Sequence, residues 1–292
     1  MEIRKFLKKE GPAYLFILPA LLLFALFLLK PMVEGMLFSF FKIGLKEKSF
    51  VGFDNYIRMF REPLFWIALK NTLLFVLIVV PTKIILALGI ALILSKHKHS
   101  IQSIFRGAFY LPAVSSGVAM TIVWWWIFSP LYGPLNYLLS LVGIPQIQWL
   151  GEPMWARQAV ILVLLNWTTG LGIILYLTAL INIPKQIYEA AEIDGAGSIQ
   201  QFFNITLPLI LPITLFILVT TTIGIFQVWQ AIFILTAGGP IYSTTSIVLR
   251  VYQLGFQYYK FGQASAYAVI LLLLMFSVAI LQFKWLNKEI EL

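Results

Sequence analysis

Long apolar runs alternate with short polar connections along almost the whole chain. A membrane-spanning helix needs about 20 apolar residues, and six of the runs reach that length. The six predicted spans are residues 13–40, 67–94, 105–129, 157–181, 207–234 and 264–286. Pro19 and Pro31 fall inside the first run, where we expect kinks, because neighbouring groups can satisfy the freed backbone. The pattern therefore predicts an all-α integral membrane protein, with one transmembrane domain over residues 1–292.

Composition supports the same class of protein. Hydrophobic residues make up 60% of the chain, charged residues 11%, and the mean hydropathy is +0.90. These values lie far outside the averages of soluble domains. The chain contains no cysteine, which excludes disulfides, thiolate metal ligands and a cysteine nucleophile.

Basic residues are concentrated at the ends of the apolar runs, and the formal net charge is +9. Such flanks are typical of cytoplasmic loops, whereas a nucleic-acid-binding protein needs a continuous basic face. The flanking residues are Arg4, Lys5, Lys8 and Lys9 before the first span, Lys96, Lys98 and Arg106 between the second and third, and Lys284 and Lys288 after the last. We therefore predict that both termini face the cytoplasm, although the loop 41–66, which this topology places outside, also carries basic side chains.

The connection at residues 182–206 is polar and punctuated by glycine, and it lies between two predicted spans. Residues 185–193 have apolar positions at helical spacing, which predicts a short amphipathic helix. Gly195 and Gly197 supply the backbone freedom for a turn, and Ser198 is expected to cap a second short helix. The pattern of this connection therefore predicts a helix–turn–helix on one face of the membrane.

Two interpretations of this connection stay open on physical grounds. Ala190 and Ala191 have small side chains that let a partner approach closely, while Glu189 and Asp194 offer charges for contacts with another protein. Alternatively, the connection is a plain linker in which alanine serves helix propensity.

The spacing of particular residues in this connection resembles a known family. The sequence E-A-A, three residues, Gly, nine residues and I-x-L-P is met by Glu189, Ala190, Ala191, Gly195, Ile205, Leu207 and Pro208. It resembles the signature loop in membrane subunits of bacterial and archaeal binding-protein-dependent ABC importers. Further similar segments are FVGFDNY at 50–56, NTLLF at 71–75, RGAFYLP at 106–112 and FQVWQAIFILTAGGP at 226–240. They are similar to the first of two permeases in importers of maltose, other oligosaccharides and glycerol phosphate.

The resemblance implies a six-helix permease of the type I importer fold in the cell membrane of a bacterium or archaeon. Its expected partners are a second permease, two cytoplasmic ATPase subunits and an extracytoplasmic sugar-binding protein. ATP and Mg would be used by the ATPase subunits, and we expect no cofactor, metal or enzymatic activity in this chain, whose sequence has no G-x-x-x-x-G-K-[ST] loop. The residues implied in ATPase coupling are Glu189, Ala190, Ala191, Asp194, Gly195 and Gly197.

Polar residues within the fourth and fifth predicted spans are candidates for a substrate path. Such groups are costly in lipid, so they face a cavity or a neighbouring helix. The candidates are Asn166, Trp167 and Gly170 in the fourth span, and Thr220, Thr221, Gly224 and Gln227 in the fifth. Hydroxyl, amide and aromatic groups suit a sugar, but packing of small and hydroxyl residues between helices is an open alternative.

Lys83 is a basic residue well inside the second apolar run. Charge inside a membrane is a sign of function, yet a long stem that snorkels to a polar crevice at a helix interface, or a structural pair, is the explanation we favour here. An ion-driven carrier would need more such groups, and a polytopic membrane enzyme would need a cluster of His, Asp or Glu near one membrane face. Both classes remain alternatives to the importer.

Overall fold

The fold is described from a computed structural model that covers residues 14–45 and 47–290, without the side chains of Ala113, Trp167, Thr168 and residues 287–290. The predicted basic flank at residues 4–9 and the side chain of Lys288 lie outside the described part.

The described chain is mostly helical, and its helices fit a membrane. Four are long and apolar enough to cross a bilayer: Tyr14–Phe38, Pro63–Ser95, Ser198–Phe226 and Phe261–Leu286. Two further pairs meet the same test together, namely His99–Pro112 with Gly117–Ile127, bent by 88°, and Pro153–Asn166 with Thr169–Ile181, bent by 41°. The described residues therefore contain four candidate spans, or six when each bent pair counts as one, and the predicted helical membrane class is confirmed.

The described chain divides into two units, and the described part of the first lies within residues 14–61 and 251–269. Its elements are α1 (Tyr14–Phe38, π-helical over Ala25–Leu29), β1 (Phe41–Ile43), β2 (Lys48–Phe50), α2 (Asp54–Arg61), a π-helical turn (Gln253–Gln257) and the start of α13 (Phe261–Ile290). The two strands form an antiparallel hairpin, with Phe41 opposite Phe50.

Hydrogen bonds from Asn55 hold the first unit together. Its side-chain nitrogen donates to the carbonyls of Ser39 and Phe41 at 2.8 and 2.9 Å, which ties α2 to the chain around β1. Gly262 at the start of α13 lies so close to the Phe41 carbonyl that a Cβ would overlap it. By contrast, every described side chain of α1 from residue 14 to residue 34 is exposed.

The second unit comprises residues 62–250 and 270–292. It contains α3 (Pro63–Ser95), α4 (His99–Val114), α5 (Gly117–Ile127), α6 (Pro134–Leu141), α7 (Pro153–Ile181), α8 (Lys185–Ile193), α9 (Ser198–Gln201), α10 (Leu207–Phe226), α11 (Gln230–Thr236), most of α12 (Ile247–Tyr252) and the remainder of α13. A π-helical turn, Phe202–Thr206, joins α9 to α10.

The core of the second unit lies where α3, α7 and α10 meet. Its buried residues are Ala87, Ala91 and Leu94 of α3, Ile173, Tyr176 and Leu177 of α7, and Ile210 and Ile217 of α10. Small residues allow close helix packing: a Cβ on Gly172 would lie 3.2 Å from the Cβ of Ala87. Because lipid tails are as apolar as these side chains, van der Waals packing stabilises this contact more than expulsion of water does.

Besides the 41° bend in the span 157–181, two predicted spans differ from the helices that form. The predicted span 207–234 is interrupted after Phe226, and residues 227–229 separate α10 from α11. The predicted span 105–129 is bent between α4 and α5, next to Pro112, which has no N–H for the helical ladder. Hydropathy does not reveal either break, because apolar residues continue on both sides.

Candidate functional site

The connection at residues 182–206 forms the predicted helix–turn–helix. Helix α8 ends in a turn in which the N–H of Ala196 donates to the carbonyl of Ala191 at 2.8 Å. Gly195 has φ +81°, a left-handed conformation that glycine adopts without the steric cost of a Cβ. The second helix, α9, begins at Ser198, and its N-cap is Gly197, so the prediction that Ser198 is the cap was wrong.

Two glutamine side chains brace the turn. Gln200 Oε1 accepts a hydrogen bond from the N–H of Gly197 at 3.0 Å, which satisfies a donor that the helix start leaves free. Gln201 Nε2 donates to the carbonyl of Ala196 at 3.1 Å. The turn between α8 and α9 therefore has a fixed shape.

A tyrosine links this helix–turn–helix to the membrane bundle. The hydroxyl of Tyr188 on α8 lies 2.8 Å from Oγ1 of Thr206, and either atom can donate. Thr206 is the last residue of the π-helical turn that leads directly into α10. This contact therefore ties α8 to the start of a spanning helix.

The surface of this element is open to a partner. The predicted coupling residues Glu189, Ala190, Asp194, Gly195 and Gly197 are exposed, and Ala191 is half-buried. None of the ion pairs found in the described part of the chain includes an acidic residue of this element.

Sequence reasoning missed two apolar side chains on the same surface. Ile193 is 87% exposed and Ile199 is 76% exposed, one on each side of the turn. The sequence does carry a sign of them, because both are isoleucines within a largely polar connection. Both side chains are exposed and are therefore available for an apolar contact with another molecule.

A cavity of about 350 Å³ lies among α3, α7, α10 and residues 227–230. This size falls in the usual range of ligand sites, roughly 300–1,000 Å³. The predicted path residues of the fifth span, Thr220, Thr221, Gly224 and Gln227, all line it. Thr169, Trp229 and Gln230, which sequence reasoning missed, line it as well.

Lys83 lines the same cavity from α3, and its side chain is 4% exposed. Lys83 is therefore buried at a helix interface, which is compatible with a stem that reaches a polar crevice there or with a structural pair. Lys83 carries the one formal charge among the described residues around this cavity.

Two candidates from the fourth span, Asn166 and Gly170, are not among the described residues that line this cavity. Asn166 is exposed outside it, and the side chain of Trp167 lies outside the described part of the structure. Gly170 is buried against α4, where a Cβ would overlap the carbonyl oxygen of Phe109. Gly170 thus permits a close helix contact, which fits the packing alternative.

Hydrogen bonds explain two of the sequence segments that carried the resemblance. Asn71, the first residue of NTLLF, donates to the carbonyls of Tyr242 and Thr245 at 2.9 and 3.0 Å. Gly238 of the segment 226–240 has φ +93° and packs against Thr245, whose hydroxyl donates to its carbonyl at 2.9 Å. These residues anchor the chain after α11 to α3.

Most of the chain matches a known family of membrane transport proteins. Residues 72–291 match the family described as binding-protein-dependent transport system inner membrane component. The chain belongs to this family. Family membership confirms the resemblance noted in the sequence and makes the chain a multi-pass protein of the inner membrane and a transport subunit.

Relatives within the transport family include sugar permeases. The chain is 36% identical over 275 residues to the lactose transport system permease protein LacF of Rhizobium radiobacter, covering 92% of each chain. It is 33% identical to the trehalose/maltose transport system permease protein MalF of Thermococcus litoralis, covering 93% of this chain and 92% of the relative.

A solved structure supports the same architecture. The chain matches a crystal structure of a bacterial alginate ABC transporter in complex with an alginate pentasaccharide-bound periplasmic protein. The TM-score is 0.87 with 26% sequence identity, covering 99% of both chains. The type I permease fold predicted from the sequence is thereby confirmed.

Proposed function

We propose that this chain is one permease subunit of an ATP-driven carbohydrate importer and that it forms half of the translocation pathway. The observation that carries the proposal is the braced element at residues 185–201, which exposes the E-A-A spacing between two spanning segments. Relatives that are permeases of lactose and of trehalose and maltose support a carbohydrate as the substrate.

The complete importer would contain a second permease, two cytoplasmic ATPase subunits and an extracytoplasmic sugar-binding protein. ATP and Mg are used by the ATPase subunits in this scheme, and both termini of the permease face the cytoplasm. A periplasmic protein in the alginate transporter complex supports the binding-protein partner. In the described residues, no group of three or more His, Cys, Asp or Glu side chains could hold a metal ion.

The proposed coupling surface is the exposed side of α8 and the turn after it. Glu189 would pair with a basic residue of the ATPase, Ala190 and Ala191 would let its backbone approach, and Asp194 would add a second charge. Gly195 and Gly197 would set the angle between the two short helices. Ile193 and Ile199 would supply the apolar contact.

Movement would reach the cavity through α10. Closure of the ATPase subunits displaces α8, and the Tyr188–Thr206 hydrogen bond carries that displacement to the helix that presents Thr220 and Gln227 to the cavity. Because packed helices move as rigid bodies, the cavity then opens to the other side of the membrane.

Site-specific cross-linking tests the coupling surface directly. The chain has no cysteine, so Ile193→Cys introduces a unique thiol on the proposed surface. In the assembled transporter, a short bifunctional reagent should join this position to an ATPase subunit that carries single cysteines. Leu131→Cys, on an exposed side chain of another connection, is the matched control. Cross-linking at Leu131 and not at Ile193 would contradict the proposal.

A further inference from the structure

A larger cavity, of about 720 Å³, lies between the α3–α4 connection and the element at residues 185–201. We call it the interfacial cavity. Its walls include the last turns of α3 and α7, which end at Ser95 and Ile181. The ends of spanning helices lie at the depth of lipid headgroups, because headgroups border the hydrocarbon core. The interfacial cavity is therefore placed where a headgroup can enter it.

Charged side chains of both signs line the interfacial cavity. Lys96 follows α3, Lys185 is the first residue of α8, and Glu192 lies about two turns, or about 10 Å, further along α8. None of the ion pairs found in the described residues includes any of these three side chains. All three are therefore available to a ligand that carries both a negative and a positive group.

Hydrogen bonds fix the walls between these charges. Gln102, which lines the cavity from α4, donates from Nε2 to the carbonyls of Leu94 and His97 at 3.2 and 2.9 Å. On the opposite wall, the Tyr188 hydroxyl lies 2.8 Å from Oγ1 of Thr206. Fixed walls lower the ordering cost of binding.

Apolar side chains on the same walls favour a lipid over a soluble phosphate compound. Ile93 and Ile181 both line the cavity, yet they are 63% and 45% exposed. They lie within the last turns of two spanning helices, next to Lys96 and Lys185 in sequence. Acyl chains can therefore cover these isoleucines while a headgroup occupies the cavity.

Helix α8 divides its side chains between this cavity and the proposed coupling surface. Lys185, Tyr188 and Glu192 are three and four positions apart, which places them on one face of the helix, and all three line the cavity. Glu189 and Ile193 are not among the described lining residues. A ligand in the cavity therefore leaves the proposed coupling surface accessible.

We propose that the interfacial cavity binds the headgroup of phosphatidylethanolamine. The phosphate pairs with Lys96 and Lys185, and the ammonium group donates charge-assisted hydrogen bonds to Glu192. Phosphatidylglycerol has no amine and leaves Glu192 without a partner, while the trimethylated amine of phosphatidylcholine has no N–H to donate. This role concerns the lipid around the chain and does not rest on the proposed importer function.

Photo-cross-linking in the assembled transporter tests the proposal. A phosphatidylethanolamine with a diazirine near the start of one acyl chain is added to the detergent-solubilised complex, and adducts of this chain are mapped by mass spectrometry. We expect adducts within residues 92–102 or 180–192. Unlabelled phosphatidylethanolamine should compete for them roughly fivefold better than phosphatidylcholine or phosphatidylglycerol, the effect of one lost charge-assisted contact.

Variants assign the headgroup contacts. Replacing both lysines, Lys96→Gln with Lys185→Gln, should lower the mapped labelling roughly fivefold, because the phosphate loses its cations. Glu192→Gln should remove most of the preference for phosphatidylethanolamine over phosphatidylglycerol. Lys284→Gln and Glu152→Gln, at exposed positions outside the cavity, are the controls and should keep the labelling and the preference of the unmodified complex.

Several outcomes would overturn the proposal. Stronger competition by phosphatidylglycerol would indicate a site for anionic lipid, and equal competition by all three lipids would indicate unspecific contact. Competition by free phosphoethanolamine at the same concentration as the lipid would indicate a soluble ligand. Adducts that form only after removal of the ATPase subunits would show that these subunits fill the cavity. Should the lysine variant fail to co-purify with its partners, the competition in the unmodified complex decides.

Discussion

At the scale of residues, helical spacing predicted one wall of the cavity. Thr220, Gly224 and Gln227 are separated by four and three positions, which places them on one face of a helix, and all three line the cavity. Helical spacing did not show that Lys83 lines the same cavity or that Gly170 packs against α4. Hydropathy gives the depth of a residue in the membrane, but the neighbouring helix that it faces depends on packing between distant segments.

The left-handed conformation of Gly195 leads to one prediction at this scale. Gly195→Ala should strain the turn by about 1–2 kcal/mol, because a Cβ disfavours positive φ. We expect fewer sugar molecules transported per ATP hydrolysed, measured in reconstituted vesicles. Gly89→Ala is the control, since a Cβ there meets nothing within 4 Å. Equal behaviour of the two variants would contradict a role for the turn.

The exposed charge of Glu189 leads to a second prediction. Glu189→Lys should weaken association with the ATPase subunits by about two- to thirtyfold, because an exposed ion pair contributes about 0.2–1 kcal/mol and reversal adds a similar repulsion. Affinity can be measured with immobilised permease complex and purified ATPase. Glu152→Lys, exposed before α7, should leave affinity unchanged. Equal loss in both variants would indicate a general effect of charge.

At the scale of elements, the uninterrupted helices α1 and α3 were predicted well, and the broken ones were not. A continuous apolar run does not show that α10 stops at Phe226 or that α4 and α5 are bent by 88°. The β1–β2 hairpin was also not predicted, because each strand has three residues and too few positions for a period. Such breaks depend on tertiary packing.

Coupling between α8 and α10 can be measured as an interaction between two side chains. Tyr188→Phe removes one hydroxyl of the 2.8 Å contact and should cost about 0.5–1.5 kcal/mol, seen as reduced transport per ATP hydrolysed. Thr206→Val should have a similar effect, and the double variant should be no worse than the poorer single one. Strict additivity would contradict a direct link, and Tyr137→Phe, at an exposed tyrosine, is the control.

Contact between α7 and α4 depends on Gly170. Gly170→Ala should destabilise the protein by about 1–3 kcal/mol, because the added methyl group overlaps the Phe109 carbonyl. The free energy of unfolding in detergent can be compared with that of Gly107→Ala, where a Cβ meets no atom within 4 Å. A smaller loss for Gly170→Ala than for the control would contradict this packing.

At the scale of the whole molecule, the sequence predicted a membrane permease because its E-A-A spacing lies between apolar segments of spanning length. The family match over residues 72–291 agrees with that prediction. A single chain does not determine which proteins cover its exposed surfaces, such as those of α8 and of α1 from residue 14 to residue 34.

Sugar uptake by reconstituted vesicles tests the central claim most directly. The sugar is the ligand that co-purifies with the cognate binding protein, radiolabelled and supplied outside the vesicles together with that protein. We predict uptake that requires ATP, both permeases and the ATPase subunits, and that stops when any of them is omitted. Uptake by this chain alone, driven by an ion gradient without ATP, would contradict the account.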